Sequence, residues 1–219
     1  MTSSQTAVIF DVDGTLVDTN YLHTLAWSRA LIATGEQVAM ASIHRVIGMG
    51  SDILIEELLG HDVPEAGDKH KEEFKALREE MKAFPRAAEL LREVARRDTK
   101  VVLASSANEE DLEAMRKAID ADDVIDIFTS SKDVETSKPA PDIFQVALDR
   151  AEVDAEHAIV VGDTIWDIQS ARKVGLDCVG VLTGGLGRGE LEDAGAVAVY
   201  QDVGQLLDGL DDSPIARLL

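Results

Sequence analysis

The stretch Ala7-Val8-Ile9-Phe10-Asp11-Val12-Asp13-Gly14-Thr15-Leu16 constrains the fold more than any other part of the chain. Four apolar residues run straight into a carboxylate, with Gly14 just beyond, and read as a strand buried on both faces of a parallel sheet. Open parallel sheets bind ligands at the C-terminal ends of their strands, and this strand ends on two acids. Asp11 and Asp13 lie two positions apart, so extended backbone sends both side chains to one side. Crowded carboxylates repel unless a cation or a shared proton relieves them, and hard divalent ions such as Mg2+ take oxygen ligands. The stretch therefore calls for a metal. An Asp-Gly turn after a strand is also an ordinary structural device, and the stretch alone leaves both readings open.

The texture of the chain changes twice after this point. From Asp18 to about Phe84 there are helical patterns and no strand: Leu22, Leu25, Ala26, Ala30 and Leu31 recur at helical spacing within Thr19 to Thr34, and Ser51 to Leu59 and Pro64 to Phe84 follow as further helices. After Pro85 strands and helices alternate. Val101 to Ala104, Ile127 to Ser130, Ala158 to Gly162, Cys178 to Val181 and Val197 to Tyr200 read as strands, separated by helices such as the one opened by Asn108, Asp142 to Arg150 and Trp166 to Val174. This pattern predicts an α/β fold, a Rossmann-like parallel sheet core with helices on both faces. The core comprises residues 1–17 and 85–219, and residues 18–84 form an inserted four-helix cap. The tail from Asp211 to Leu219 reads as a loosely held end.

Charge and cysteine content narrow the partners. Against 42 acidic residues stand 21 basic ones in 219, a formal charge of −21 that repels nucleic acid and anionic lipid, so neither is expected as a partner. The same field opposes a phosphorylated substrate, and an anion site must rely on local donors, helix N-termini and a metal. The single cysteine, Cys178, excludes an internal disulfide and reads as a small core residue. With no basic leader segment and no apolar run long enough to span a bilayer, the expectation is a cytoplasmic monomer or homodimer.

The ends of the predicted strands carry Asp11 and Asp13, Ser105 and Ser106, the loop Ser137-Lys138-Pro139, and Gly162-Asp163-Thr164-Ile165-Trp166-Asp167. Singly, Ser105 is a capping serine, Lys138 a surface lysine, and Asp163 and Asp167 acids placed on a helix dipole. Together they supply what phosphoryl transfer needs: a nucleophile, a metal site, and positive charge or donors for the transferred oxygens. Their order resembles the four motifs of the haloacid dehalogenase superfamily, in Asp11-x-Asp13-Gly14-Thr15, Ser105, Lys138-Pro139 and Gly162-Asp163 with Asp167. The resemblance covers nearly the whole chain, including the place of the helical cap.

That resemblance implies a Mg2+-dependent phosphatase. By it, Asp11 is the nucleophile that forms an aspartyl-phosphate, and Asp13 is the general acid and base. Ser105 and Ser106 bind phosphate oxygens with help from Asn108, and Lys138 neutralises charge on Asp11. Asp163 binds Mg2+ beside Asp11 and the backbone carbonyl of Asp13, while Asp167 either binds through water or orients Lys138. The acid at Asp13 sets the chain apart from dehalogenases and phosphonatases of the superfamily. What remains resembles phosphoglycolate phosphatase and β-phosphoglucomutase, the latter also through His23 and Ala26-Trp27. The bland reading of His23, a cap hinge or core histidine, is preferred. The cap loop Val46-Ile47-Gly48-Met49-Gly50-Ser51-Asp52, with Gly50 and Ser51 as candidate substrate contacts, lacks the flanking cations that hold a second phosphate in the mutase; Arg45, Lys75 or Arg78 could stand in. The expected partner is a small phosphorylated metabolite. A phosphomutase and a metal-binding scaffold without turnover are the alternatives.

Overall fold

The computed structural model describes residues 5–133 and 138–219, with the side chain of Asp52 excepted; Ser137, in the candidate loop before Lys138, lies outside the described residues. Six parallel strands form one sheet: β1 (Ala7–Phe10), β2 (Lys100–Ala104), β3 (Ile127–Thr129), β4 (Ala158–Gly162), β5 (Asp177–Val181) and β6 (Ala198–Tyr200), in the order β3-β2-β1-β4-β5-β6. The order reverses direction between β1 and β4, and at such a switch point the flanking loops diverge and leave a crevice at the strand ends. β1 therefore sits beside the crevice as its sequence requires.

Period-two alternation divides the core between the two faces of the sheet. Val8 and Phe10 face one layer, packed with Leu90 and Val94 of α5 (Ala87–Arg96), Leu112 and Met115 of α6 (Glu109–Ile119) and Leu206 of α10 (Val203–Asp208). Ala7 and Ile9 face the other, with Phe144 and Ala147 of α7 (Asp142–Ala151), Ile168 of α8 (Ile165–Lys173) and Leu191 of α9 (Arg188–Ala194). A strand apolar at every position is what burial on both sides demands. No helix among the described residues is long and apolar enough to cross a membrane.

Between β1 and β2 lie α1 (Asn20–Ala33), α2 (Met40–Val46), α3 (Ser51–Leu59) and α4 (Ala66–Leu77). Trp27, Leu31, Ile43, Val46, Ile47 and Leu54 give them a small core of their own. Ala26, Phe74 and Leu77 instead join the main core. The expected helix from Pro64 to Phe84 stops at Leu77 and a short turn at Arg78–Glu80 follows. It stops because the returning chain pairs with the outgoing one: the Asp18 N–H donates to the Lys82 carbonyl (2.9 Å) and the Phe84 N–H to the Leu16 carbonyl (2.8 Å). Of the four cap helices expected, α2 is the one whose place the sequence did not give; it is short and its N-cap, Ala39, offers no side-chain acceptor.

The C-terminus corrects a second expectation. Ile215 is fully buried and Leu218 nearly so, and the Leu218 carbonyl accepts from the hydroxyls of Thr6 (2.8 Å) and Thr99 (3.0 Å). Two apolar residues spaced three apart in the turn Pro214–Leu218 supply the packing, a pattern too short to register as a helix in the sequence.

Candidate active site

β1 ends at Phe10, although the Asp11 N–H still reaches the Val161 carbonyl (2.9 Å). The chain then closes a tight turn in which the N–H groups of Leu16 and Val17 converge on the Val12 carbonyl (2.9 and 3.0 Å). Gly14 takes φ 72°, and a Cβ there would stand 2.3 Å from Asp163 Oδ2. Asp13 is thus presented by a turn and not, as the two-residue spacing suggests, by extended strand. Both acids nonetheless line one cavity.

Lys138 stands at the centre of the carboxylates. Its ammonium is ion-paired to Asp11 and lies 2.7 Å from Asp167 Oδ1. The other Asp167 oxygen accepts from the Thr164 N–H (3.0 Å) and hydroxyl (2.6 Å), in the capping box that starts α8. Asp163 is fully buried; its oxygens accept from the Thr15 hydroxyl and the Asn20 amide, each at 2.8 Å. A Cβ on Gly184 would lie 2.0 Å from Asp163 Oδ2, so only glycine fits against that carboxylate.

Oxygen atoms of Asp11, Asp163 and Asp167 lie within 4.8 Å of one another, and all three residues are buried. Burial lifts the Asp11 carboxyl well above its ordinary range; Lys138 opposes this, while Asp167, Asp163 and Asp13 add to it. Burial and the charge of Asp167 push Asp163 up to about 7 against the hydrogen bonds from Thr15 and Asn20. Lys138 loses stability as a cation through burial, but Asp11 and Asp167 more than restore it and raise its pKa. Three carboxylates against one ammonium leave two negative charges, which is the charge of one divalent cation. Oxygen donors without nitrogen or sulfur fit Mg2+.

Asp13 has different surroundings. Its Oδ1 accepts from the Thr19 hydroxyl (2.8 Å) and lies 3.1 Å from His23 Nε2; its Oδ2 accepts from the Ser105 hydroxyl (3.2 Å). Burial alone would raise Asp13, but the bond and charge of His23, the Thr19 bond and Lys138 hold it below its ordinary value. His23, read from the sequence as a cap hinge or core histidine, stacks on Phe74 of the core and also lines the cavity with its ring against Asp13. Thr15, Thr19 and Asn20 were given no role. The available signal was a polar first turn, Thr19, Asn20 and His23, on a helix whose start is buried.

The cavity, about 320 Å3, lies between strand ends and cap. From the core, Ser106 and Asn108 line it, whereas Ser105 is fully buried against Asp13 and the Ala107 N–H. The Asn108 side chain also caps α6, accepting from the Asp111 N–H at 3.0 Å. From the cap come Gly50 and Ser51, and the Gly50 N–H donates to the Lys138 carbonyl (3.3 Å). The cations considered for the cap do not line it: Arg45 pairs with Glu190, and Arg78 with Glu110 and Asp111. Lys71 does line it.

The family model described as Haloacid dehalogenase-like hydrolase matches residues 8–181. The chain belongs to this family. A "Phosphorylated carbohydrates phosphatase" of Thermotoga maritima is 31% identical over 203 residues, covering 89% of this chain and 94% of that protein. "Protein CbbY" of Cereibacter sphaeroides is 29% identical, with 96% and 99% covered. The solved structure of a hydrolase from Pseudomonas syringae is 36% identical, covers 95% of this chain and 99% of that one, and superposes with a TM-score of 0.89. Phosphatases among the haloacid dehalogenase-like hydrolases generally use Mg2+, in keeping with the oxygen-only donor set of this member.

Proposed function

We propose that the chain hydrolyses small phosphomonoesters with Mg2+, by way of an aspartyl-phosphate on Asp11. It is a phosphatase, a phosphoric monoester hydrolase. The observation that carries the residue assignment is the cluster of Asp11, Asp163 and Asp167 around one lysine, with Asp13 on the wall of the adjoining cavity. Residues 1–17 and 85–219 form the catalytic core in this reading, and 18–84 the cap.

Asp11 attacks phosphorus as the bond to the leaving oxygen breaks, and Asp13 gives that oxygen its proton. Asp13 then takes a proton from water, whose oxygen attacks the same phosphorus. The bond to Asp11 breaks, releasing phosphate and restoring both acids. With the Thr19 hydroxyl donating to Oδ1, the Ser105 hydroxyl to Oδ2 and His23 Nε2 3.1 Å from Oδ1, Asp13 is held as carboxylate, the form that accepts the proton. An entering phosphoryl anion favours the protonated form, because like charge disfavours a carboxylate. Ser105 exchanges its bond to Asp13 for a phosphate oxygen, and Ser106 and Asn108 add donors at the start of α6. Asp11, Asp163 and the Asp13 carbonyl hold the metal; Asp167 orients Lys138. Bound there, Mg2+ supplies the charge that keeps Asp11 ionised and offsets the phosphoryl oxygens.

The cap cation that lines the cavity, Lys71, is itself paired with Asp68 (2.9 Å), which favours a substrate with one phosphate, and the likeness to a phosphatase of phosphorylated carbohydrates favours a small sugar phosphate. A mutase must also hold a second phosphate, and Arg45 and Arg78 are already paired elsewhere. Release of inorganic phosphate from a panel of sugar phosphates, with the protein stripped by EDTA and then resupplied with Mg2+, tests the reading. Turnover should vanish and return. Equal rates without metal would overturn it, and Mg2+ binding with no turnover on any ester would make the chain a scaffold.

A further inference from the structure

Two consecutive glycines in the loop after β5 separate the acidic cluster from the cap. On the core side Gly184 lies against Asp163 with no room for a methyl group. On the cap side lies Gly185, at φ 85°, where a Cβ would come to 2.9 Å from the His44 ring and 3.0 Å from the Tyr21 hydroxyl. The Gly184 carbonyl takes two contacts from the cap: His44 Nε2 of α2 at 2.9 Å and the Asn20 amide at 3.4 Å, the same amide that donates to Asp163 Oδ2. A carbonyl oxygen only accepts, so the contact with His44 requires a hydrogen on Nε2. Both the Nε2–H neutral ring and the charged ring carry one. The Tyr21 ring stacks on His44, with centroids 4.8 Å apart and planes at 10°, and so sets the direction of that N–H. Thr183 ties the same loop to the turn after β1, its hydroxyl donating to the Gly14 carbonyl (2.5 Å).

We propose that His44 is a positioning residue for the metal site: from the cap it holds the Gly184 carbonyl, and so keeps the loop Leu182–Gly185 against Asp163, the carboxylate that takes the cation. This rests on the reading of Asp163 as a Mg2+ ligand. Asp163 Oδ1 is held by the Thr15 hydroxyl, whereas Oδ2 has the Asn20 amide on it and Gly184 as its wall. Without the His44 bond, the Gly184 carbonyl is left with the longer contact from Asn20, and the wall beside Oδ2 loosens. Ligand carboxylates depend on such outer partners for their orientation. Coupling of this kind is reciprocal, so a bound cation in turn favours the cap seated on the core. Arg45, the next residue on α2, pairs instead with Glu190 of α9, a contact between cap and core that lies beyond the loop.

Calorimetric titration of the intact protein with Mg2+, in the absence of substrate, reads the site without turnover. His44→Ala should weaken Mg2+ binding about fivefold, the scale of one hydrogen bond. His44 is only half-buried and alanine favours helix, so the fold should be kept. His44→Gln puts an amide N–H within reach of the same carbonyl and should recover most of the affinity. Arg45→Ala removes the neighbouring contact between cap and core and should leave the affinity unchanged. Wild-type affinity in His44→Ala would overturn the proposal. So would a loss in His44→Gln as large as in His44→Ala, which would assign the effect to the bulk of the ring. An equal loss in Arg45→Ala would also overturn it, by assigning the effect to the seating of the cap as a whole. If His44→Ala does not fold, His44→Phe, which keeps the stack on Tyr21 and lacks the N–H, takes its place with the same outcomes. Asp163→Asn separates the two levels. Unchanged Mg2+ binding there would mean that the metal-site reading itself fails, whereas a loss there with none in His44→Ala would remove only the role of His44.

Discussion

Gly184 shows how tightly one residue can be bound to the chemistry. It carries no functional group, yet a methyl there would occupy the space of Asp163 Oδ2, at 2.0 Å. Asp163 cannot retreat easily, because Thr15 and Asn20 hold its two oxygens. Gly184→Ala should therefore move the carboxylate away from Asp11 and raise the Mg2+ concentration for half-maximal activity about tenfold or more, the scale on which disturbed support of a ligand acts. Titration of activity against Mg2+ checks this. An unchanged midpoint would show that Asp163 is not a ligand. Asp11, Asp13, Asp163, Asp167 and Lys138 could be named from the sequence, since a motif keeps its functional residues within a few positions of one another. Gly184 could not. Its role exists only where the loop after β5 passes the end of β4.

At the scale of elements, the end of the chain is a packed part of the core. Ile215 is fully buried in the same cluster as Val8, Phe10 and Leu91. Ile215→Ala should cost about 2–5 kcal/mol, the usual range for truncating a buried large aliphatic side chain. Urea unfolding would show this as a lower midpoint at unchanged slope, and a cost below about 0.5 kcal/mol, typical of surface changes, would place the tail outside the core. The strands were legible because each is a short apolar run stopped by a polar or glycine-containing loop. The short helices α2, α9 and α10 were harder, since seven residues or fewer span only two turns and leave little periodicity to detect. The tail was misjudged for the same reason.

For the whole molecule, the cap lies across the strand ends. It touches the core through the His44 ring at the Gly184 carbonyl (2.9 Å), Arg45 with Glu190, and the Gly50 N–H at the Lys138 carbonyl. A cover of this kind shields the aspartyl-phosphate from bulk water and must lift to exchange ligands. Gly50→Leu puts a large side chain on the loop lining the cavity, and it should raise KM or alter preference across a panel of phosphate esters about tenfold, with the Mg2+ midpoint unchanged. An unaltered profile would mean that the loop does not face substrate. The sequence by itself determined the sheet, the inserted helices and the acids at the strand ends, because periodicity and motif spacing are local properties of the chain. Only the tertiary structure decided that Ser105 bonds to Asp13, that His23 touches that acid with His70 behind it, and that Lys71 is the cap cation beside the cavity. Ser105 with Asp13 and His70 with His23 join residues far apart in sequence, and the contact of His23 with Asp13 depends on how the turn after β1 is folded, so packing decides them.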